Sequence, residues 1–311
     1  MRATTATTMS TKQGTLIVVV GPTGSGKSAL AVRLANHYAA PIISTDSRQF
    51  YRNMAIGTAQ PTAEELSAAT HYFIADRDVD DDFNCGRYEV EALTLLDRLF
   101  AEHRYVVAVG GSGLYIQALC EGMDSLPEAD ESLRAELKER LESDGLEMLV
   151  EQLRTLDPRY VEQVDVHNPS RVMRALEVCI ATGRPYSEQR LGRRVERPFN
   201  IIKVGTDMPR DILYDRINRR VDMMVEQGLE QEARAMYPKR HLNALQTVGY
   251  RELFDYFDGR SSFAEAVELI KRNSRRYAKR QLTWFRRDDS IGWYSPDDFD
   301  AIVEFIDSKK V

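Results

Sequence analysis

The chain has 311 residues, 43% of them apolar and 29% charged, with a formal net charge of −6. That length gives room for one large domain or two smaller ones around a real core, and an acidic balance argues against indiscriminate coating of nucleic acid. No apolar run approaches the length of a membrane span, and the polar, threonine-rich segment 1–13 lacks an apolar signal core, so a disordered tail and no membrane partner are expected.

Leu16 to Val20 is a run of apolar residues that leads straight into GPTGSGKS, followed by the amphipathic ALAVRLANHYA. The octapeptide fits G-x-x-x-x-G-K-[ST] at every fixed position and sits between a strand and a helix, the context in which that motif cradles phosphate. Gly21, Pro22, Thr23, Gly24, Ser25 and Gly26 form the loop, whose amides can turn inward around an anion. Lys27 supplies a point charge, Ser28 offers a hydroxyl to Mg2+, and the helix N-terminus adds its partial positive charge.

The next strand, PIIST, ends at Asp46, Ser47, Arg48 and Gln49. In an open parallel sheet ligands bind at the carboxyl ends of strands, so Asp46 is a candidate general base near whatever the loop holds; it could equally cap a turn, or hold magnesium through water. The acidic stretch Asp76 to Asp82 reads as a solvated loop. RYVVAVGGSG follows from Arg104 and ends in glycines, where a hydrolase or kinase of this loop class normally ends a strand in an acidic residue. Residues 128–194 carry only helical patterns, with breaks at Pro158 and Pro169, before FNIIKVGTD resumes the alternation at Phe199. From Pro209 onward helices dominate. The order implies an α/β fold, a P-loop NTPase-like parallel sheet with helices on both faces plus an inserted all-helical domain. The core is expected at 14–121 and 199–311 and the insertion at 122–198. Cys85, Cys120 and Cys179 are scattered and odd in number, which argues against a disulfide framework or a zinc site and fits a reducing cytoplasm.

Between Lys271 and Arg287 stand eight cations and no acidic residue. Spacings of three and four place Lys271, Arg272, Arg275, Arg276, Lys279 and Arg280 on one half of a helix, with Ile270, Tyr277 and Trp284 on the packing side. With Trp284 and Phe285 adjacent, the segment reads as a tracker of a nucleic-acid phosphate backbone.

Together GPTGSGKS, ISTDSRQFYRNMAIGTAQPT, GGSGLYIQAL, NPSRVMRALEV, RINRRVDMMVEQGL, LQTVGYREL and KRQLTWFRR closely resemble the bacterial tRNA dimethylallyltransferases, from about Gly14 to Asp288. The resemblance implies transfer of a dimethylallyl group from dimethylallyl diphosphate to N6 of the adenosine just 3′ of the anticodon, position 37, in tRNAs reading codons that start with U. The loop would then hold a diphosphate that leaves. Thr23 resembles the family threonine that touches the diphosphate, and Arg220 the arginine on its far side, with Arg216 as the alternative. Asp46 becomes the base that collects the N6 proton. By the same resemblance the tRNA anticodon stem-loop would be contacted by Asp46, Ser47, Arg48 and Gln49, by Ser170, Arg171, Val172, Met173 and Arg174, by Gln246, Thr247, Val248, Gly249, Tyr250 and Arg251, and by Lys279, Arg280, Gln281, Leu282, Thr283, Trp284, Phe285 and Arg286. Ser112 and Arg134 would lie near the flipped base or its entry, and the helical insertion would act as a clamp, although NPSRVMRALEV also reads as a scaffold helix packing through Val172, Leu176 and Ile180. No Cys/His pair of zinc spacing follows the core as it does in eukaryotic members, so the bacterial form is expected, as a monomer. An ATP-dependent kinase of a nucleoside or small metabolite would explain the loop but leave the basic helix idle, and a non-enzymatic RNA-binding protein would waste the loop.

Overall fold

The computed structural model describes residues 14–124, 126–127, 130–192 and 194–309, so the expectation of a disordered tail at 1–13 lies outside the described residues. Six strands form one sheet: β1 (Thr15–Val20), β2 (Ile42–Ser44), β3 (His71–Tyr72), β4 (Tyr105–Gly110), β5 (Asn200–Thr206) and β6 (Ile291–Tyr294), in the order β3-β2-β4-β1-β5-β6. Every pairing is parallel. A parallel strand covered on both faces must be apolar on both, which is why β1 is buried from end to end. Leu16, Val18 and Val20 face one core with Phe50, Tyr88 and Leu119, whereas Ile17 and Val19 face the other with Leu30, Leu34, Ile302 and Ile306.

Register brings the strand ends level. Val20 pairs with Gly110 on one side and Gly205 on the other, so the turns after β1, β4 and β5 open at the same edge, joined by the turn after β2. β1 lies between strands that the chain reaches by crossovers in opposite directions, the topology at which a crevice opens over the strand ends.

Two strands were not foreseen. β3 has only two residues, too few for any periodic signal, and β6 is an IGWY segment inside a region that otherwise reads as helix. A third cluster, with Met54, Leu229, Leu245, Tyr250 and Ile270, joins the helices Leu229–Met236, Tyr250–Phe257 and Phe263–Phe285. The acidic Asp76 to Asp82 stretch is more than a solvated loop: Asp78 pairs with Arg52 at 3.2 Å, Asp80 pairs with Lys239, and Val79 is buried.

The contacts divide the chain into two units, Glu121–Glu196 and the residues on either side of it. The helical unit packs Leu137, Leu149, Leu153, Val172, Leu176 and Cys179 together. Pro158 and Pro169 are the first residues of helices Pro158–Val161 and Pro169–Thr182, where the missing N–H costs nothing. Cys179, not Ile180, completes the buried stripe; Ile180 is exposed.

Candidate active site

The phosphate loop folds by tying itself to neighbouring strand ends. Ser25 Oγ donates to the Pro22 carbonyl (2.8 Å) and shares a hydrogen bond with Thr206 Oγ1 (2.6 Å) at the end of β5. Gly21 approaches so closely that a Cβ there would sit 2.1 Å from Thr206 Oγ1. Gly26, at φ +86, occupies the N-cap of the Lys27–Tyr38 helix without any side-chain cap bond, a conformation that favours glycine and leaves the first-turn amides for an anion.

Two long-range side chains complete the cradle. Gln281, near the C-terminal end of the basic helix, accepts the Thr23 amide (2.9 Å) and donates to the Gly111 carbonyl (2.9 Å), latching the loop to the glycines after β4. Arg220, on the Arg210–Glu226 helix, donates to Thr23 Oγ1 (3.3 Å). Burial pushes the Arg220 guanidinium down from its ordinary range, against the pull of Asp46. Lys27 is pushed down to about 8, chiefly by burial and then by the Arg220 charge, with Asp46 opposing. A cation held this way is poised to regain its ordinary basicity when an anion arrives.

Asp46 stands opposite. Its Oδ1 accepts the Arg48 amide (3.0 Å), so it does cap the turn after β2, and among the described residues no hydrogen bond is made to Oδ2. The turn-capping and catalytic readings are therefore compatible. Gln49 folds back to donate to the Ala59 carbonyl (2.8 Å), and Glu232 receives the amides of Ile56 and Gly57 together with the Tyr250 hydroxyl (2.9, 2.8 and 2.7 Å), which fixes the rest of this loop. A cavity of about 690 Å³ joins these parts, lined among others by Thr23, Lys27, Ser28, Asp46, Ser47, Arg48, Arg220, Thr247, Arg251, Tyr277 and Arg280. Arg216 does not line it, although its guanidinium lies beside Gly26 of the loop, whereas Arg220 does.

Several expected RNA contacts are placed otherwise. Val172 and Met173 are buried in the helical unit's core, Tyr250 is buried with its hydroxyl on Glu232, and Gln281 and Phe285 are on the buried side of the basic helix, where Gln281 still lines the cavity. Conversely Trp284, expected on the packing side, is 41% exposed, bordered by Arg276, Lys279, Arg280, Thr283 and Arg287. The cationic face also divides. Lys271 is paired with Asp222 (2.7 Å) and Arg275 donates to Asn218 (2.5 Å), both serving helix packing, while Arg272, Arg276 and Arg280 line the cavity. Leu282 and Arg286 lie instead on a shallow groove with Met208 and Leu213. In the helical unit Ser170 and Arg171 are exposed, whereas Arg134 and Arg174 flank the buried carboxylate of Glu177 at 3.0 and 3.3 Å.

Sequence reasoning did not single out Thr206 or Glu232, nor give Tyr277 a place in the site. Thr206 alone left a local signal, a hydroxyl residue at the carboxyl end of a strand. For a metal, no group of three or more His, Cys, Asp or Glu side chains gathers among the described residues. Ser28 and Asp46 put a hydroxyl and a carboxylate on the cavity wall, a hard-oxygen pair that suits a magnesium ion whose other ligands are water and substrate oxygens.

Comparison with known proteins points one way. The sequence profile of the IPP transferase family matches residues 49–288. A tRNA dimethylallyltransferase of Christiangramia forsetii is 48% identical over 295 residues, 94% of this chain and 98% of that one. Its counterpart in Cytophaga hutchinsonii is 49% identical over 294 residues, with 94% and 97% covered. Among solved structures, the full-length tRNA isopentenylpyrophosphate transferase of Bacillus halodurans superposes with a TM-score of 0.71 at 38% identity, over 95% of this chain and 96% of that one.

Proposed function

Because this chain belongs to the IPP transferase family, we propose that it transfers a dimethylallyl group from dimethylallyl diphosphate to N6 of adenosine 37 in tRNAs that read codons starting with U, releasing diphosphate. The observation that carries the reading is the meeting of the phosphate loop, the Thr23–Arg220 pair and Asp46 around one cavity. The kinase alternative has no support, since the relatives are named as prenyl transferases and β4 ends in glycines instead of an acidic residue.

In the reaction the allylic C1–O bond breaks, with its electron pair leaving on the diphosphate, while the N6 lone pair forms the new C–N bond. Charge grows on the departing oxygens. Lys27, the free amides at the start of the Lys27–Tyr38 helix and the Arg220 fork are fixed before that charge develops, which is what makes such stabilisation effective. Magnesium held by Ser28, with Asp46 as a second ligand or through water, would add Lewis-acid stabilisation of the same oxygens. Adenine N6 is a poor nucleophile because its lone pair is delocalised into the ring, and alkylation leaves an acidic proton on it. Asp46, on the cavity wall, takes that proton, a role usually worth about 10²- to 10⁴-fold in rate.

On the RNA side Arg272, Arg276 and Arg280 at the cavity and Lys279, Trp284 and Arg287 beside it would hold the backbone and stack an exposed base. Ser170, Arg171, Arg134 and Arg174 would serve the clamp. Such an enzyme works where tRNA is, in the cytoplasm, as a monomer; no described helix is long and apolar enough to cross a membrane. Incubation with unmodified tRNA and either prenyl-labelled dimethylallyl diphosphate or γ-labelled ATP tests this. Prenyl label should enter RNA without ATP, and phosphate label entering any acceptor would refute the reading.

A further inference from the structure

The basic helix touches both walls of the cavity through one side chain. Gln281, 5% exposed, follows Arg280 on the Phe263–Phe285 helix. Its Oε1 accepts the Thr23 amide of the phosphate loop and its Nε2 donates to the Gly111 carbonyl, each at 2.9 Å. A backbone N–H only donates and a carbonyl only accepts, so the side-chain amide is held in one orientation. Gly111 leaves no slack, since a Cβ there would sit 2.1 Å from Gln281 Nε2. The next residue, Ser112, accepts the Ser47 amide (3.0 Å), so the Gly111 end of the bridge belongs to the wall that carries Asp46.

The same helix reaches Thr23 by a second route. Thr23 Oγ1 accepts from Arg220 (3.3 Å), and the Arg210–Glu226 helix is tied to the basic helix by Arg275 on Asn218 (2.5 Å), by Lys271 on Asp222 (2.7 Å) and by Leu213 and Ile217 packed with Ala278. The amide and the hydroxyl of Thr23 are thus both placed from the basic helix. That helix also carries Arg272, Arg276 and Arg280 to the cavity and exposes Trp284. RNA held on those groups restrains the helix, and through it the leading residue of the loop, before diphosphate arrives. A site ordered in advance binds more tightly.

We infer that Gln281 is a positioning residue that couples the two substrates: RNA held on the basic helix sets the phosphate loop through the Gln281 bridge, so each anion raises the affinity of the site for the other. The inference rests on the RNA-prenylating reading above. By linkage the gain is the same factor in both directions, and charge repulsion between RNA and diphosphate works against it, so repulsion cannot supply it. The test measures dissociation constants of inorganic diphosphate, without magnesium, in the absence and presence of a saturating anticodon stem-loop, for the wild type, Gln281→Leu and Gln281→Glu. Gln281→Leu removes both bonds; Gln281→Glu keeps an acceptor for the Thr23 amide but sets an oxygen against the Gly111 carbonyl. The stem-loop should tighten diphosphate binding to the wild type by about tenfold, and diphosphate should tighten stem-loop binding equally. In both variants that ratio should fall to one or below. A merely structural role would weaken diphosphate by the same factor with and without RNA and leave the ratio intact. Denaturant unfolding of each variant identifies one that fails to fold, in which case the other decides. A ratio of one or less in the wild type, or a folded variant that keeps the gain, overturns the inference. Prenyl transfer to the stem-loop by the same wild-type preparation tells that failure from failure of the underlying reading.

Discussion

The two walls of the cavity are built by opposite means. The phosphate loop is one continuous octapeptide whose shape comes from glycines, from backbone amides and from the Ser25–Pro22 bond three residues away. The wall carrying Asp46 is assembled from segments far apart: Ser112 from the turn after β4, Glu232 and Tyr250 from two later helices, and Tyr277, which lines the cavity, from the basic helix. The local device depends on the rest of the chain through a few ties, to Thr206, Arg220 and Gln281; the distributed one depends on it for every side chain that shapes it. The difference suits the chemistry, since diphosphate is gripped through charge and amides, whereas a nucleobase must be read by side chains of particular shape.

The largest expected effect separates the walls by function. Asp46→Ala should lower kcat by about 10²- to 10⁴-fold while inorganic diphosphate, measured without magnesium, binds nearly as before, because Lys27, Arg220 and the loop amides supply the direct grip. Equal loss of turnover and of diphosphate affinity would merge the two walls into one. Gln281→Leu attacks a side chain that ties them. It leaves the Thr23 amide and the Gly111 carbonyl unpaired, so it should cost about 1–3 kcal/mol in denaturant unfolding and weaken diphosphate binding, while Lys279→Ala, on the outer face of the same helix, should leave stability unchanged.

The smallest effect concerns protons. Lys27 is pushed down to about 8, below its ordinary 10.5. Its charged form is therefore disfavoured by the fold, a penalty present below about pH 8 and gone above the ordinary value, and an arriving anion reverses it. Diphosphate binding near pH 8 should take up a fraction of a proton, read by calorimetry in buffers of different ionisation heat, and affinity should fall by up to about tenfold per pH unit above that point. Proton release on binding would mean that Lys27 is not the cation facing the ligand.

What the sequence revealed follows the same division. The cradle was legible because its residues are consecutive and their types dictate the turn. Asp46 was legible as the residue ending a strand beside it. The basic helix was legible as an element but not in its rotation. A seven-residue spacing drifts about 20° per heptad on a straight helix, so by the second heptad after Ile270 the packing side has passed from Trp284 to Gln281 and Phe285. Burial of Val172 and Tyr250 likewise depends on which neighbours arrive, and Glu177 becomes the partner of two arginines only once its own helix meets the one carrying Arg134. No periodicity carries the Glu232 carboxylate to the amides of Ile56 and Gly57.

The most direct test of the central claim follows both products in one reaction. Wild-type protein, unmodified tRNA and dimethylallyl diphosphate should yield diphosphate and prenylated adenosine in equal amounts, with no diphosphate released when the RNA is omitted. Diphosphate released without prenylated RNA, or prenylated RNA formed undiminished by Asp46→Ala, would contradict a site in which one wall restrains the leaving group while the other delivers and deprotonates the nucleophile.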